Sequence, residues 1–261
     1  MWCECRQHPQ CRQHPAHQQR HRRVRILQHH LQTAHAVARD DHDTWHGRAR
    51  GVRLESIHAP AEVARVNRDM TLLDRPSDLM VPMPEMFWHE STLHGQAHVT
   101  RVMIHAARLA AATHQAVHSR RLWAAVFLHD IARTHDGTCH RHGADAAVRL
   151  RTEVTLQRRL TDAGLTEDDF RAIEAAVTAH SAPQDVPRSH PHWALIALLK
   201  DADGLDRVRL GDLDPSRLRH PEAVQAIPFA QRLFDRTDGA IALGEQHFAK
   251  VVEIAQVIEV D

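Results

Sequence analysis

Apolar residues recur at helical spacing from about His94 to the end of the chain. Residues three and four positions apart share one face of a helix, so this pattern predicts amphipathic helices. We predict helices over residues 96–113, 119–132, 143–160, 167–180, 191–203, 221–235 and 239–258. No alternating apolar and polar run is longer than three or four residues, so strands are not expected. The sequence predicts an all-α bundle of about six to eight helices.

Two local signals support these boundaries. Thr166 precedes Glu167, Asp168 and Asp169, which places a capping hydroxyl and then acids at the positive end of a helix dipole. Gly137, Gly164 and Gly211 fall in the breaks between predicted helices.

The first part of the chain has a different composition. Residues 1–55 are rich in His, Arg and Gln, and the motif Cys-Arg-Gln-His-Pro occurs twice. Such a segment buries too little apolar surface to offset its ordering entropy, which predicts a disordered extension. A Cys/His metal site or a basic arm for nucleic acid is the alternative, although Cys3, Cys5 and Cys11 fit no standard zinc spacing. Residues 56–87 predict a short helix near 60–69 and a proline-rich connector, and residues 88–261 form the main helical domain.

Charge and composition exclude several classes of protein. Lys and Arg together number 33, as do Asp and Glu, so the overall charge favours neither nucleic acid nor a membrane as partner. No apolar run reaches membrane-spanning length, no signal-peptide core is present, and the four cysteines form no disulfide framework. A cytoplasmic location is therefore expected. A glycine-rich phosphate loop and a Gly-x-Ser-x-Gly elbow are both absent.

The most informative local feature is the pair His129-Asp130, which closes the apolar run Ala124–Leu128. Burying an imidazole beside a carboxylate is costly without a partner, and a divalent metal ion suits both groups. Further candidate ligands follow at helix-length intervals: His98, His142, His180 and Asp203. This order predicts a metal site assembled from several helices.

Neighbouring residues leave some of these assignments open. The chain contains 25 histidines, so a single histidine is weak evidence. His94 shares a helix face with His98, and His140 is an alternative to His142. Asp201 and Asp206 compete with Asp203, and Asp206 could instead pair with Arg207.

These residues, in this order, resemble the HD superfamily of metal-dependent phosphohydrolases over residues 88–210. The stretch His129–Arg133 resembles the family's His-Asp-Ile-Gly-Lys, with Ala132 and Arg133 as departures. His98–Val102 resembles the first-helix histidine with its trailing Arg-Val, and Lys200–Asp206 resembles the segment that supplies the closing aspartate. No Gly-Tyr-Pro follows His180, so the cyclic-di-GMP phosphodiesterase branch is not supported.

The resemblance implies an HD-domain-like helical bundle and a ligand set. It assigns one metal ion to the four residues His98, His129, Asp130 and Asp203. Family members with two ions add two histidines in the interval that His142 and His180 occupy here.

The residue types also indicate the chemistry. Imidazole and carboxylate ligands suit Mn²⁺, Fe²⁺, Co²⁺, Ni²⁺ or Zn²⁺, with one or two ions bound. Such an ion polarises a phosphoryl oxygen and lowers the pKa of its water, which then attacks phosphorus. Cationic side chains must offset charge on the equatorial oxygens, and Arg133 and then Arg101 are the candidates beside Asp130. The expected substrate is a phosphoester of a nucleotide or another small phosphorylated metabolite.

Two other functions remain open from the sequence. A minority of proteins with this helix and ligand plan hold two irons and use O₂, and all six potential ligands for such a site are present. A non-enzymatic metal-stabilised helical domain with a basic tail is the other alternative.

Overall fold

The computed structural model describes residues 81–114 and 119–260, which belong to the compact unit His58–Asp261. The predicted His/Arg/Gln-rich extension, the helix near 60–69 and most of the connector therefore lie outside the described residues. No helix within the described ranges is long and apolar enough to cross a membrane.

The described part of the chain is helical and contains no strand, which confirms the all-α prediction. Its α-helices are α1 (Gln96–Ala112), α2 (Ser119–Leu128), α3 (His142–Thr152), α4 (Val154–Asp162), α5 (Glu167–His180), α6 (Trp193–Leu205), α7 (Pro221–Gln225), α8 (Ile227–Thr237) and α9 (His247–Val260). Short 3₁₀ turns occur at Pro84–Met86, Asp206–Arg209 and Pro215–Arg217.

Four predicted helices are divided in the structure or differ from it by more than two residues. Helix α2 ends at Leu128, so His129 and Asp130 lie in the turn that follows it. The predicted helix over 143–160 is two helices, because Glu153 adopts an extended conformation. The helix over 221–235 is broken at Ala226, because Pro228 is tolerated only in the first turn of α8. The last helix begins at His247, after a turn in which Gly239 and Gly244 have positive φ.

The centre of the core is α2. Every residue from Leu122 to Leu128 is at most 7% exposed. A helix that is apolar on all sides must be surrounded, and α2 packs against α1, α5 and α6. Helix α3 packs on α5, while α8 and α9 cover α1. Because α2 is buried and ends at Leu128, the turn that contains His129 and Asp130 also lies in the interior.

The start of α5 is held as the sequence predicts. The Thr166 hydroxyl accepts a hydrogen bond from the Asp169 amide, and the Asp169 carboxylate accepts one from the Thr166 amide. This reciprocal capping box satisfies two amides that the helix leaves unpaired. Asp169 also forms an ion pair with Arg121 of α2, at 2.5 Å, so one residue both caps α5 and ties it to the core helix.

Candidate metal centre

The ends of five helices meet at one place in the bundle. Two of these ends are helix N-termini, from α1 and α3, and three are C-termini, from α2, α5 and α6. Helix C-termini carry partial negative charge, which favours a cation. The side chains that these ends bring together are His98, His129, Asp130, His142, His180 and Asp203. These are the six metal-ligand candidates from the sequence. His94, just before α1, also lies within ligand distance of His98 and Asp130.

Four of these side chains form a first ligand group, which we define as His98, His129, Asp130 and Asp203. The Nε2 atom of His98 lies 3.1 Å from Nε2 of His129. It also lies 3.4 Å from Oδ2 of Asp130 and 3.4 Å from Oδ1 of Asp203. Ligands at about 2.0–2.2 Å from one ion are separated by about 3.0–3.6 Å, so these three distances suit a shared ion. Nε2 of His129 and Oδ2 of Asp130 are slightly farther apart, at 3.8 Å.

The second ligand group consists of Asp130, His142 and His180. Oδ1 of Asp130 lies 3.1 Å from Nε2 of His142 and 3.9 Å from Nε2 of His180. The two imidazole Nε2 atoms are 2.8 Å apart. Asp130 thus faces the first group with Oδ2 and the second with Oδ1, and it is the residue that both groups share.

Asp130 remains ionised in this setting. Burial raises the pKa of the Asp130 carboxyl, but His129, His142, His180 and His94 together outweigh burial and hold its pKa well below the usual value. Burial likewise raises the pKa of Asp203, and the neighbouring His98 and His129 lower it by more. Both carboxylates are therefore available as anionic ligands.

The same local hydrogen bond orients three of the histidine rings. His129, His142 and His180 each direct Nδ1 at a backbone carbonyl three residues earlier, those of Val126, Cys139 and Val177. A carbonyl only accepts hydrogen bonds, so Nδ1 must carry the proton in each ring. The Nε2 atom of each neutral ring then carries a lone pair, and it points into the centre.

This tautomer creates a mismatch that a cation resolves. His142 and His180 face each other with their Nε2 atoms 2.8 Å apart. Burial lowers the pKa of His142, and the nearby Asp130 only partly offsets this, so a second proton on that ring is disfavoured. Burial also lowers the pKa of His129 to about 3. The donor set and its orientation could therefore hold a metal ion.

His98 differs from the other rings in its protonation. Burial and Arg209 lower its pKa, but hydrogen bonds with Asp130, Asp203 and Asp206 outweigh them and raise the pKa to about 9. Without a metal ion His98 carries an extra proton on Nε2, at the position where an ion would be bound.

A glycine permits the close approach of α3 and α5. A Cβ atom on Gly143 would lie 1.9 Å from the Val177 carbonyl oxygen and 2.7 Å from Oγ of Ser181. No side chain can be placed there without separating the two helices. Gly143 follows His142 directly, and Val177 orients His180, so this contact brings the two histidines of the second group together.

The centre is open to solvent on one side. The Asp203 side chain is 29% exposed, whereas those of His98 and His129 are fully buried. Arg133 and His94, which both contact Asp130, have side chains about one-tenth exposed and form a second partly open edge of the centre. Arg133 donates from Nε to Oδ1 of Asp130 at 2.8 Å, and His94 places Nδ1 3.0 Å from Oδ2 of the same residue.

Arg101, the other predicted phosphate-binding arginine, lies elsewhere. It is 3% exposed and donates from Nε and Nη2 to the two carboxylate oxygens of Asp206, at 2.6 and 3.1 Å. The structure thus places Arg101 behind His98, on the side away from the solvent-exposed rim.

The charged residues that end α6 have separate roles. Asp203 faces the first ligand group. Asp201 accepts hydrogen bonds from the amides of Arg219 and His220 and so holds the start of α7. Asp206 accepts from His98 and Arg101, while Arg207 pairs instead with Asp212.

Lys200, one of only two lysines in the chain, completes this segment. Its ammonium group donates to the carbonyls of Ala179 and Ala182 and pairs with Asp185 at 2.8 Å. Three donors thus meet three acceptors at the C-terminal end of α5, which supports the position of His180.

The structure also separates the two neighbouring histidines near α3. His142 is buried, with Nε2 in the second ligand group, whereas His140 is exposed and directs Nδ1 at the Ser181 carbonyl. Cys139 is a free thiol beside them, and its backbone carbonyl is the part that orients His142.

Arg209 is a residue that the sequence analysis missed. Its guanidinium donates to the Leu93 and Asp206 carbonyls and approaches Nδ1 of His94 at 3.4 Å. It thereby ties the turn before α1 to the turn after α6. In the sequence, the only feature that points to Arg209 is its position one helical turn after Asp206.

No protein-family model, curated protein or solved structure matches the chain.

Proposed function

We propose that the chain is a metal-dependent phosphohydrolase of the kind that the HD superfamily resemblance implies. The supporting observation is the orientation of His129, His142 and His180, whose Nε2 atoms lie 3.8, 3.1 and 3.9 Å from the Asp130 carboxylate. The first ligand group would hold one ion and the second ligand group would hold another. Two histidines with one or two carboxylates in each group favour Mn²⁺, Fe²⁺, Co²⁺, Ni²⁺ or Zn²⁺ over Mg²⁺.

The chemistry that a divalent ion supplies in such a site is polarisation of a phosphoryl oxygen and acidification of water. The protein's own part is to hold six ligand atoms in place and to leave one side open. That side lies beside Asp203, whose carboxylate is the most exposed of the six candidates.

Substrate binding falls to the cationic rim. Arg133 uses Nε for Asp130 and Nη1 for the Gly137 carbonyl at 3.2 Å. Among the described residues its Nη2 atom has no partner, which leaves a donor for an equatorial phosphoryl oxygen. Arg209 adds positive charge nearby, with its guanidinium 3.4 Å from Nδ1 of His94. A small phosphoester, such as a nucleotide or a phosphorylated metabolite, suits this rim.

The test is metal content followed by activity. Wild-type protein and Asp130→Asn are purified without chelator, their metals are measured, and phosphate release is followed on a panel of phosphoesters with added Mn²⁺, Co²⁺ or Ni²⁺. Asp201→Asn is the matched control, because Asp201 is an equally buried aspartate whose contacts are with Arg219 and His220.

We expect about one or two equivalents of metal and metal-dependent phosphate release in wild type and Asp201→Asn, and neither in Asp130→Asn. If the protein holds two irons, carries out an O₂-dependent reaction and releases no phosphate, it is an oxygenase and the proposed hydrolase function is wrong. Metal binding without any turnover would favour a metal-stabilised helical domain. No metal uptake by the wild-type protein would refute the centre itself.

A further inference from the structure

Asp206 is a fully buried carboxylate directly behind the first ligand group. Its Oδ2 atom lies 2.8 Å from Nδ1 of His98, and Arg101 donates to both of its oxygens. Arg209 adds a longer contact with Oδ2 at 3.4 Å. Asp206 belongs to neither ligand group. Any effect that it has on a bound ion must therefore act through His98.

His98 is the one ring of the four whose Nδ1 atom faces a carboxylate. The other three face backbone carbonyls. A carboxylate partner raises the basicity of the opposite ring nitrogen and fixes the ring orientation, which strengthens that histidine as a metal ligand. The second ligand group has no such partner and only one carboxylate, Asp130.

We propose that Asp206 is a positioning residue that acts through His98 and makes the first ligand group the tighter of the two metal positions. This proposal rests on the metal centre proposed above and concerns the order in which it is loaded. The first group fills at low metal concentration, and the second fills only at higher concentration.

Asp206 can play this role because contacts with His98, Arg101 and Arg209 fix its position. The Arg101 guanidinium binds it in a two-oxygen arrangement and also lies 5.3 Å from the centre of the Phe234 ring. The side chain is fully buried, and its two oxygens are held by the Arg101 guanidinium and by Nδ1 of His98. A charged, immobile acceptor therefore faces His98.

The same helix end offers a matched comparison. Asp201 is also fully buried, also binds a histidine Nδ1 at 2.8 Å and also pairs with an arginine. Its histidine is His220, which belongs to neither ligand group. Asp201→Asn therefore reproduces the loss of a buried charge and its hydrogen bonds without touching the centre.

The experiment is a calorimetric titration of metal-free protein with Zn²⁺ and with Mn²⁺, for wild type, Asp206→Asn and Asp201→Asn. Circular dichroism checks that each variant is folded at the titration temperature. We expect two binding steps in the wild type. Asp206→Asn should weaken the first step by about 10–100-fold and leave the second unchanged, while Asp201→Asn should change neither.

A spectroscopic readout separates positioning from general stability. In Zn²⁺-loaded protein with ¹⁵N-labelled histidine, the Nδ1 proton of His98 should resonate at low field because it is shared with a carboxylate. That signal should shift in Asp206→Asn, while the Nδ1 signals of His129, His142 and His180 stay in place.

If Asp206→Asn does not fold, Arg101→Lys decides the question, because it retains the charge and loses the two-oxygen contact. The proposal then requires a smaller weakening of the same first step. Unchanged first-step affinity in a folded Asp206→Asn, or equal weakening of both steps, would overturn it. A wild type that binds two ions without hydrolysing phosphoesters would refute the hydrolase and leave the role of Asp206 intact.

Discussion

His142 and His180 face each other with their Nε2 atoms 2.8 Å apart, and the Nδ1 proton of each ring is used for a backbone carbonyl. Each Nδ1 atom donates to a carbonyl three residues earlier, which leaves a lone pair on each Nε2. Such a contact is repulsive unless a cation lies between the rings. This pair therefore makes the second ligand group testable by itself.

Replacing His142 should remove one of the two ions. His142→Gln loses an imidazole ligand, so the metal content should fall by one equivalent or the weaker binding step should weaken at least about tenfold. His140→Gln is the control, because His140 is exposed and lies outside both ligand groups. Elemental analysis and titration measure both variants. Equal metal loss in the two would contradict the assignment of His142.

Adding one methyl group at Gly143 should disrupt the second ligand group from a distance. The new Cβ would overlap the Val177 carbonyl, so α3 must move away from α5, at a cost of about 1–3 kcal/mol in unfolding free energy. Thermal unfolding and metal titration of Gly143→Ala measure the two effects.

Gly204→Ala is the matched control for that variant, because its Cβ meets only the end of the Leu218 side chain, at 3.2 Å. This helical substitution should be tolerated and should leave metal binding unchanged. Gly143→Ala with normal stability and two ions would show that the helices can separate without cost.

Metal binding should depend on pH through His98. Its pKa is raised to about 9 in the metal-free protein, so at pH 7 a proton occupies the Nε2 atom that the ion needs. Affinity for the first ion should rise by about tenfold per pH unit from pH 7 to about 9 and then level off. Calorimetry in buffers of different ionisation enthalpy should detect the released proton. A pH-independent affinity over this range would contradict this competition.

Removing His105 should stabilise the protein, most strongly in acid. This residue of α1 is 1% exposed, and neither ring nitrogen has a hydrogen-bond partner among the described residues. Burial lowers its pKa to about 3, so below pH 6.5 the unfolded chain takes up a proton that the folded chain does not. Stability is lost as the pH falls from 6.5 towards 3.

His105→Leu should therefore raise the unfolding free energy by about 1–3 kcal/mol at pH 8, because two unpaired polar atoms are removed. The gain should be about 2 kcal/mol larger at pH 5. Urea unfolding at the two pH values measures both gains. A variant that is less stable than wild type at pH 5 would mean that His105 has a partner with an essential role.

Arg133 should matter for turnover more than for metal content. Arg133→Gln removes the donor proposed for the phosphoryl group and should lower kcat/KM by about 100-fold. Arg133→Lys should restore only part of it, because an ammonium cannot bind Asp130 and phosphate in one plane. Arg141→Gln is the control, since Arg141 is 84% exposed and pairs with Asp145. Full metal content with unchanged kcat/KM in Arg133→Gln would rule out this role.

Much of the centre could be predicted, because the kinds of residue and their helix-length intervals are written in the sequence. The apolar run before His129 indicates a buried helix, and the structure places the pair where that helix ends. Distinguishing near neighbours was not possible from the sequence. The choice between His140 and His142, or among Asp201, Asp203 and Asp206, depends on the rotation of a helix end by a fraction of a turn.

The orienting contacts were also beyond the sequence. Val126, Cys139 and Val177 act through backbone carbonyls, so their side chains carry no signal of this role. The sequence predicts Arg101 as a phosphate ligand, but in the structure it pairs with Asp206, which is more than one hundred residues away along the chain. The break at Ala226 was readable from Pro228, whereas the extended Glu153 has no comparable marker.

Because the ligand candidates come from the ends of five different helices, an ion held there would tie those ends to one another. Without the ion, the Asp130 and Asp203 carboxylates would repel each other, as would the facing histidine nitrogens at this end of the bundle. The apolar packing around the middle of α2 would remain. The metal-free protein should then exchange its amide hydrogens faster around residues 94–98, 129–142 and 180 than along the middle of α2. Metal loss would therefore cause local unfolding at the end of the bundle that holds the centre, under conditions in which the rest of the domain stays folded.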